Sequence, residues 1–341
     1  MKNKKIRVGI DEFRFIAAFL VILAHVGPLA NINSTANYIL TDIISRIAVP
    51  FFFMVTGYFV LSKGLENKEL FNQYIKKIVK LYILVILIFL PFNIYKGDFN
   101  NLNIIEGIKA IFLDGTFYHL WYFPSLILGL YITRFILQKI PKNFQAIMVI
   151  FLYIIGLLGD SYYGLTLQNT FLLNIYNVIF SVFSYTRNGL FLTPIFLYMG
   201  YKLSSNQKPI TLSKNTVFFI LSFSLMIFEG LILKNFNYSR HTSMYIMLIP
   251  TMYFLLTLLC RSGQARKSLR DITLYMYIFH PLVIILIRVL SKPIHMKEVI
   301  VDNPLVLFLV TLIATIVLAV LLEKIKIKIK KKVNHEIESM D

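Results

Sequence analysis

The sequence predicts an all-α integral membrane protein of ten transmembrane helices, with both termini on the cytoplasmic side. Three observations lead there. Apolar residues fill 57% of the 341 positions, mean hydropathy is +0.70, and only 15% of residues are charged, whereas soluble domains carry about 25%. Long Ile, Leu and Phe runs recur from near the N-terminus almost to the C-terminus, with 30 Phe and 20 Tyr, the reverse of a disordered composition. Third, 35 Lys+Arg against 17 Asp+Glu give a net charge of +18. Its distribution along the chain follows membrane topology and does not call for a nucleic-acid partner.

A bilayer core of ~30 Å takes ~20 mostly apolar residues per helix. Segments of that kind lie near 13–31, 39–61, 79–95, 119–137, 144–160, 187–203, 215–234, 243–260, 272–290 and 304–323. The first is too long for a signal-peptide core, carries Arg14 and His25, and lacks a small-residue cleavage site. It is therefore read as a span.

The segment 168–186 is long enough to cross, but Asn174, Asn177, Ser181 and Ser184 make it amphipathic. Loop charge decides its place, because cytoplasmic loops are enriched in Lys and Arg. With ten spans and the N-terminus inside, and residues near span ends counted with the adjoining loop, 25 basic residues fall on the inside, 8 on the outside, and Arg14 and Arg46 within spans. An eleventh span at 168–186 would give 18 against 15. The segment is thus expected to be an outer-face interfacial or re-entrant helix.

Lys2, Lys4, Lys5 and Arg7 flank the first span, and Lys324, Lys326, Lys328, Lys330, Lys331 and Lys332 follow the last. Near an anionic leaflet each contributes about 1 kcal/mol of attraction. The expected organisation is one multi-pass domain in the cell membrane over 1–323, followed by a basic cytoplasmic tail over 324–341. Cys260 is the single cysteine, which excludes an internal disulfide framework and a multi-cysteine metal site. No His/Asp/Glu set has ligand spacing on one helix, so no metal is expected.

Ionisable groups inside a membrane cost about 2.5–3.5 kcal/mol each on insertion scales and usually face a protein cavity. Arg14 and His25 are eleven residues apart. Eleven steps of ~100° return to within about 20°, so both project from one helix face, about 16 Å apart along the axis. A guanidinium suits a bidentate grip on phosphate, and a neutral imidazole suits removal of a proton from a hydroxyl near pH 7. Snorkelling of Arg14 beside Asp11, with His25 as a hydrogen-bonded packing residue, is the structural alternative. In the second span Arg46 lies at the depth of His25, with Asp42 one turn earlier as a possible ion-pair partner. Pro50 bends that helix, and Gly57 permits close helix approach.

Arg14, ten intervening residues, His25, and the Arg46–Pro50–Phe51–Phe52–Gly57 pattern together resemble the acyltransferase-3 family of integral membrane acyltransferases. The resemblance covers essentially the whole chain. It implies that His25 is the catalytic histidine and that Arg14 helps bind an acyl-CoA donor, in the simplest case acetyl-CoA.

Tyr118-His119-Leu120-Trp121-Tyr122-Phe123-Pro124, Gly159-Asp160-Ser161, Thr186-Arg187-Asn188-Gly189, His241-x-Ser243-Met244-Tyr245 and Phe279-His280-Pro281 resemble the membrane domain of vancomycin-resistance serine racemases. No counterpart of their PLP-dependent racemase domain is expected here, so racemisation is not expected, while handling of serine stays open. An SGNH-type esterase domain, carried by many acyltransferase-3 proteins, is not expected either.

The remaining polar residues sort by depth. His119, Asp160 and Arg187 fall at outer ends of spans, and Glu229 lies in the outer half of the seventh. His119 could belong to an interfacial aromatic belt, and Asp160 and Arg187 could pair to close the outer mouth. Glu229 is expected to face a cavity. His280 precedes Pro281, where a kink competes with a role for the ring. With Arg46, these residues form the expected supporting or acceptor-side set. The expected activity is O-acylation of a cell-envelope glycan or lipid-linked sugar from cytoplasmic acyl-CoA. The alternative is uptake of serine or another small amino acid, or a membrane partner role.

Overall fold

The computed structural model describes residues 8–98, 103–205, 210–260 and 267–338. Among these the secondary structure is helical, without strands. The longer helices are α1 (Val8–Val26), α2 (Ser34–Gly64), α3 (Lys68–Lys96), α4 (Tyr122–Lys139), α5 (Lys142–Leu158), α6 (Thr170–Val182), α7 (Thr193–Ser205), α8 (Leu212–Asn235), α9 (Leu248–Leu259), α10 (Lys267–Leu290) and α11 (Pro304–Glu338). A helix therefore stands at each of the ten expected spans, and α6 at the amphipathic segment.

Among the described residues, five helical stretches are long and apolar enough to cross a membrane: Ser34–Gly64, Lys68–Lys96, Leu212–Asn235, Leu269–Leu290 and Pro304–Lys332. The others differ for local reasons. The first two turns of α1 carry Asp11, Glu12 and Arg14. With 13 and 12 residues, α7 and α9 are short, because the expected spans 187–203 and 243–260 begin as irregular backbone. At 1.5 Å per residue, the 13 residues of α6 rise about 20 Å, less than the ~30 Å of hydrocarbon. Lys324–Lys332 continue α11 as helix, while Lys2, Lys4, Lys5, Arg7 and the tail residues 339–341 lie outside the described residues.

The chain forms two compact units, Met1–Ala48 with Leu259–Asp341, and Val49–Leu258. In the first, α1 presents Ala18, Ile22 and Leu23 to Met276 of α10 and to Phe308 and Ala319 of α11. Phe15, Phe19 and Val26 extend this stripe at helical spacing, and Phe19 meets Phe308 edge to face at 5.5 Å. In lipid the attraction comes from close packing, since hydrocarbon tails are as apolar as the side chains they would replace. The helical hydrogen-bond period changes over Ile39–Ile43, a π turn, and Ile44–Ile47, a 3-10 turn. Pro50 accounts for part of this: it has no N–H, so the Arg46 carbonyl lacks its usual partner four residues on.

In the second unit, α2 and α7 meet through reciprocal glycines. A methyl group on Gly57 would lie 2.1 Å from the Leu197 carbonyl oxygen, and one on Gly200 would lie 2.0 Å from that of Met54. Only the absence of a side chain at both positions allows this approach. The irregular stretches before α7 and α9 are supplied with hydrogen-bond partners by side chains, as backbone away from water requires. Asn188 Oδ1 accepts the N–H groups of Leu190 and Phe191 at 2.9 and 3.0 Å.

Candidate functional site

The expected site residues divide between the two units. Arg14, His25, Arg46 and His280 belong to the first, and His119, Asp160, Arg187 and Glu229 to the second.

His25 sits in the last turn of α1, with an exposed side chain. One face of its ring stacks on His280 of α10, centroids 5.2 Å apart and planes inclined by 22°. His280 is fully buried. Its Nδ1 lies 2.8 Å from the Tyr277 carbonyl oxygen and 3.2 Å from that of Met276. Residues 255 positions apart in sequence are thus brought into ring contact.

Near the other end of α1, Asp11 is almost fully buried and accepts from two arginines. Arg14 donates to Asp11 Oδ1 through Nη1. Arg270 of α10 engages the same carboxylate side on, Nε to Oδ1 at 3.0 Å and Nη2 to Oδ2 at 3.1 Å. The Arg14–Asp11 pair named as the structural alternative is therefore formed. Beside them, Lys326 pairs with Asp271 at 2.6 Å. Arg270 was counted in the sequence only as one basic residue of an inner loop. The signal that could have singled it out is its place within the first turn of a helix, next to a span.

Arg46 also takes its local option. Nη2 meets Asp42 Oδ1 at 2.9 Å, and Nε donates to the Asp42 carbonyl at 3.3 Å. The Thr41 hydroxyl donates to Asp42 Oδ2 at 2.7 Å. This cluster lies on the π and 3-10 turns, which place the two side chains side by side at the i, i+4 spacing.

In the second unit, two carboxylates bind main chain. Asp160 Oδ1 accepts the N–H groups of Ser243 at 2.6 Å and Met244 at 3.0 Å, with the Ser161 hydroxyl at 3.0 Å. Glu229 accepts from Ile246 N at 2.6 Å, Met247 N at 2.8 Å and the Tyr162 hydroxyl at 2.7 Å. The two carboxylates thus hold the irregular backbone that leads into α9, and Glu229 sits at its N-terminus where anions are favoured. Burial, and then the Glu229 carboxylate, push the Tyr162 hydroxyl well above the ordinary tyrosine pKa, so it remains a donor.

His119 is buried among Phe89, Phe117 and Tyr118, with ring centroids at 4.9, 5.7 and 5.6 Å. The Arg187 guanidinium lies over Tyr185 at 4.4 Å and Trp121 at 5.4 Å, with Nη1 3.5 Å from the Ser243 hydroxyl. Together with Asp114, Tyr118, Trp121 and Tyr185 it lines a cavity of about 290 Å³. An arginine held against aromatic faces is fixed in plane by cation–π contact.

Comparison with known proteins gives relatives for this arrangement. Two amino-acid racemases of Enterococcus faecalis are 39% and 37% identical over 87% and 89% of this chain, covering 42% and 44% of their own lengths. A serine/alanine racemase of Enterococcus gallinarum is 35% identical over 92% of this chain and 45% of its own length. The chain thus spans less than half the length of the curated relatives it matches. No solved structure matches. Residues 7–324 match the acyltransferase domain that defines the acyltransferase-3 family, and with that span matched, the chain belongs to this family of membrane proteins.

Proposed function

We propose that the chain moves an acyl group, acetyl in the simplest case, from cytoplasmic acyl-CoA to a hydroxyl of a cell-envelope glycan or lipid-linked sugar. The observation that carries this reading is the exposed His25 ring held against buried His280 on the helix that also bears Arg14. An exposed imidazole with one face fixed is the kind of group that can serve as a general base.

In this reading His25 takes the proton of the acceptor hydroxyl as its oxygen attacks the thioester carbonyl. The tetrahedral intermediate collapses with cleavage of the C–S bond, and the leaving thiolate takes the proton back from the imidazolium. Arg14 orients the donor through phosphate oxygens. The test is mass comparison of envelope glycans and lipids from cells with wild-type protein, no protein, or His25→Ala at equal protein level. A loss of one acyl unit from the same species in the latter two is expected. Full acylation with His25→Ala would remove His25 from this role.

The names of the relatives favour one second reading, in which the chain handles a small amino acid such as serine as a carrier or as partner to another protein. Serine uptake by proteoliposomes holding this chain alone would support it, and no uptake would remove the carrier form.

A further inference from the structure

Pro281 lies within α10 and has no N–H to donate. The carbonyl four residues back, that of Tyr277, is therefore deprived of its helical partner. Inside a membrane such a group must be satisfied from within the protein. The residue that satisfies it is His280, whose Nδ1 is 2.8 Å from that oxygen. A carbonyl only accepts, so Nδ1 carries the hydrogen and, in the neutral ring, Nε2 does not. The second contact, to Met276 O at 3.2 Å, fixes the ring from the same side. The ring is fully buried, and its face lies against His25.

We propose that His280 and Pro281 act as one device: the proline exposes a carbonyl, the carbonyl anchors the histidine in one tautomer, and the anchored ring sets the plane of His25. His280 is then a positioning residue. Pro281 supplies more than a bend, since without it the N–H of residue 281 would bond the Tyr277 carbonyl and compete with His280 Nδ1 for that oxygen. The proposal rests on the reading of His25 as general base for its effect on rate, but not for its structural content.

The experiment uses the full chain in detergent micelles, with the six histidines labelled with ¹⁵N and assigned by single substitution. His280 is expected in the Nδ1–H form alone, Pro281→Ala is expected to mix in the Nε2–H form, and His280→Leu is expected to move the His25 ring shifts. In acyl transfer, His280→Leu is expected to lower kcat about tenfold or more with donor KM within about twofold. His280→Ala serves as a second variant should leucine fail to fold. An Nε2–H form of His280 in the wild type, or His25 shifts unmoved in a folded His280 variant, would overturn the proposal. A kcat unchanged in that variant while His25→Ala is inactive would overturn it equally. Full activity of His25→Ala would instead sink the general-base reading, with the ring shifts still deciding whether His280 positions His25.

Discussion

Arg270 and Asp11, 259 residues apart in sequence, face each other edge to edge through two hydrogen bonds of 3.0 and 3.1 Å. Arg14 shares the same carboxylate, so one buried acid ties α1 to α10. Asp11→Asn leaves two guanidiniums facing each other over a neutral amide. It is expected to cost about 3–5 kcal/mol, the range for breaking a buried pair. Arg270→Gln removes a side chain that is 40% exposed and leaves Asp11 paired with Arg14, so about 1–2 kcal/mol is expected. Thermal unfolding in micelles gives the order, and an Asp11→Asn loss no greater than that of Arg270→Gln would contradict it.

Arg14 has a different expected effect. Since Arg270 still covers Asp11 when Arg14 is replaced, Arg14→Gln should fold. Under the proposed function it should raise donor KM about tenfold, the consequence of losing one charge-assisted hydrogen bond. Acceptor KM should stay near the wild-type value, and steady-state kinetics with each substrate varied in turn separates the two.

Gly57 and Gly200 admit no side chain without displacing main chain. Gly57→Ala and Gly200→Ala are each expected to destabilise by about 1–3 kcal/mol, the cost of overpacking a close contact. Because the two glycines sit in one contact, the double variant should cost less than the sum of the singles. Unfolding of the three variants against wild type measures it.

Glu229 holds two main-chain N–H groups and one hydroxyl. Glu229→Ala is expected to destabilise by about 1–3 kcal/mol, since two main-chain donors and the Tyr162 hydroxyl lose their acceptor. Tyr162→Phe, which removes only the hydroxyl, is expected to cost about 1 kcal/mol. If Glu229 instead served a ligand, its loss would leave stability unchanged, so the melting temperature distinguishes the two.

Much of this was readable from residue order. Apolar run length points to a helix at each of the ten segments, because a long apolar run without charge satisfies its backbone most readily as helix. The amphipathic Asn and Ser positions of 168–186 marked α6 as different, and the eleven-residue spacing put Arg14 and His25 on one face. What could not be read was partnership across the sequence. Asp160 and Glu229 accept N–H groups on a stretch that hydropathy reads as helix, and Glu229 also lines a cavity of about 360 Å³, as expected for a carboxylate at that depth. His280 and Pro281 offered two rival explanations, a ring or a kink. Only the distances to Tyr277 and His25 unite them. Arg270 carried no signal beyond its charge, because its meaning lies in Asp11.

The segment 236–247 has a consequence for how the chain assembles. Hydrogen bonds from its backbone end on carboxylates carried by its neighbours, Asp160 next to α5 and Glu229 on α8. A stretch with unpaired amides cannot rest in hydrocarbon alone. Nor does either acid sit cheaply there without those amides. Neither side is therefore stable in the bilayer before the other arrives, and the N-terminal end of α9 should settle only after α5 and α8 are in place. Helix insertion, which proceeds from the N-terminus, is in this part of the molecule followed by a late locking step.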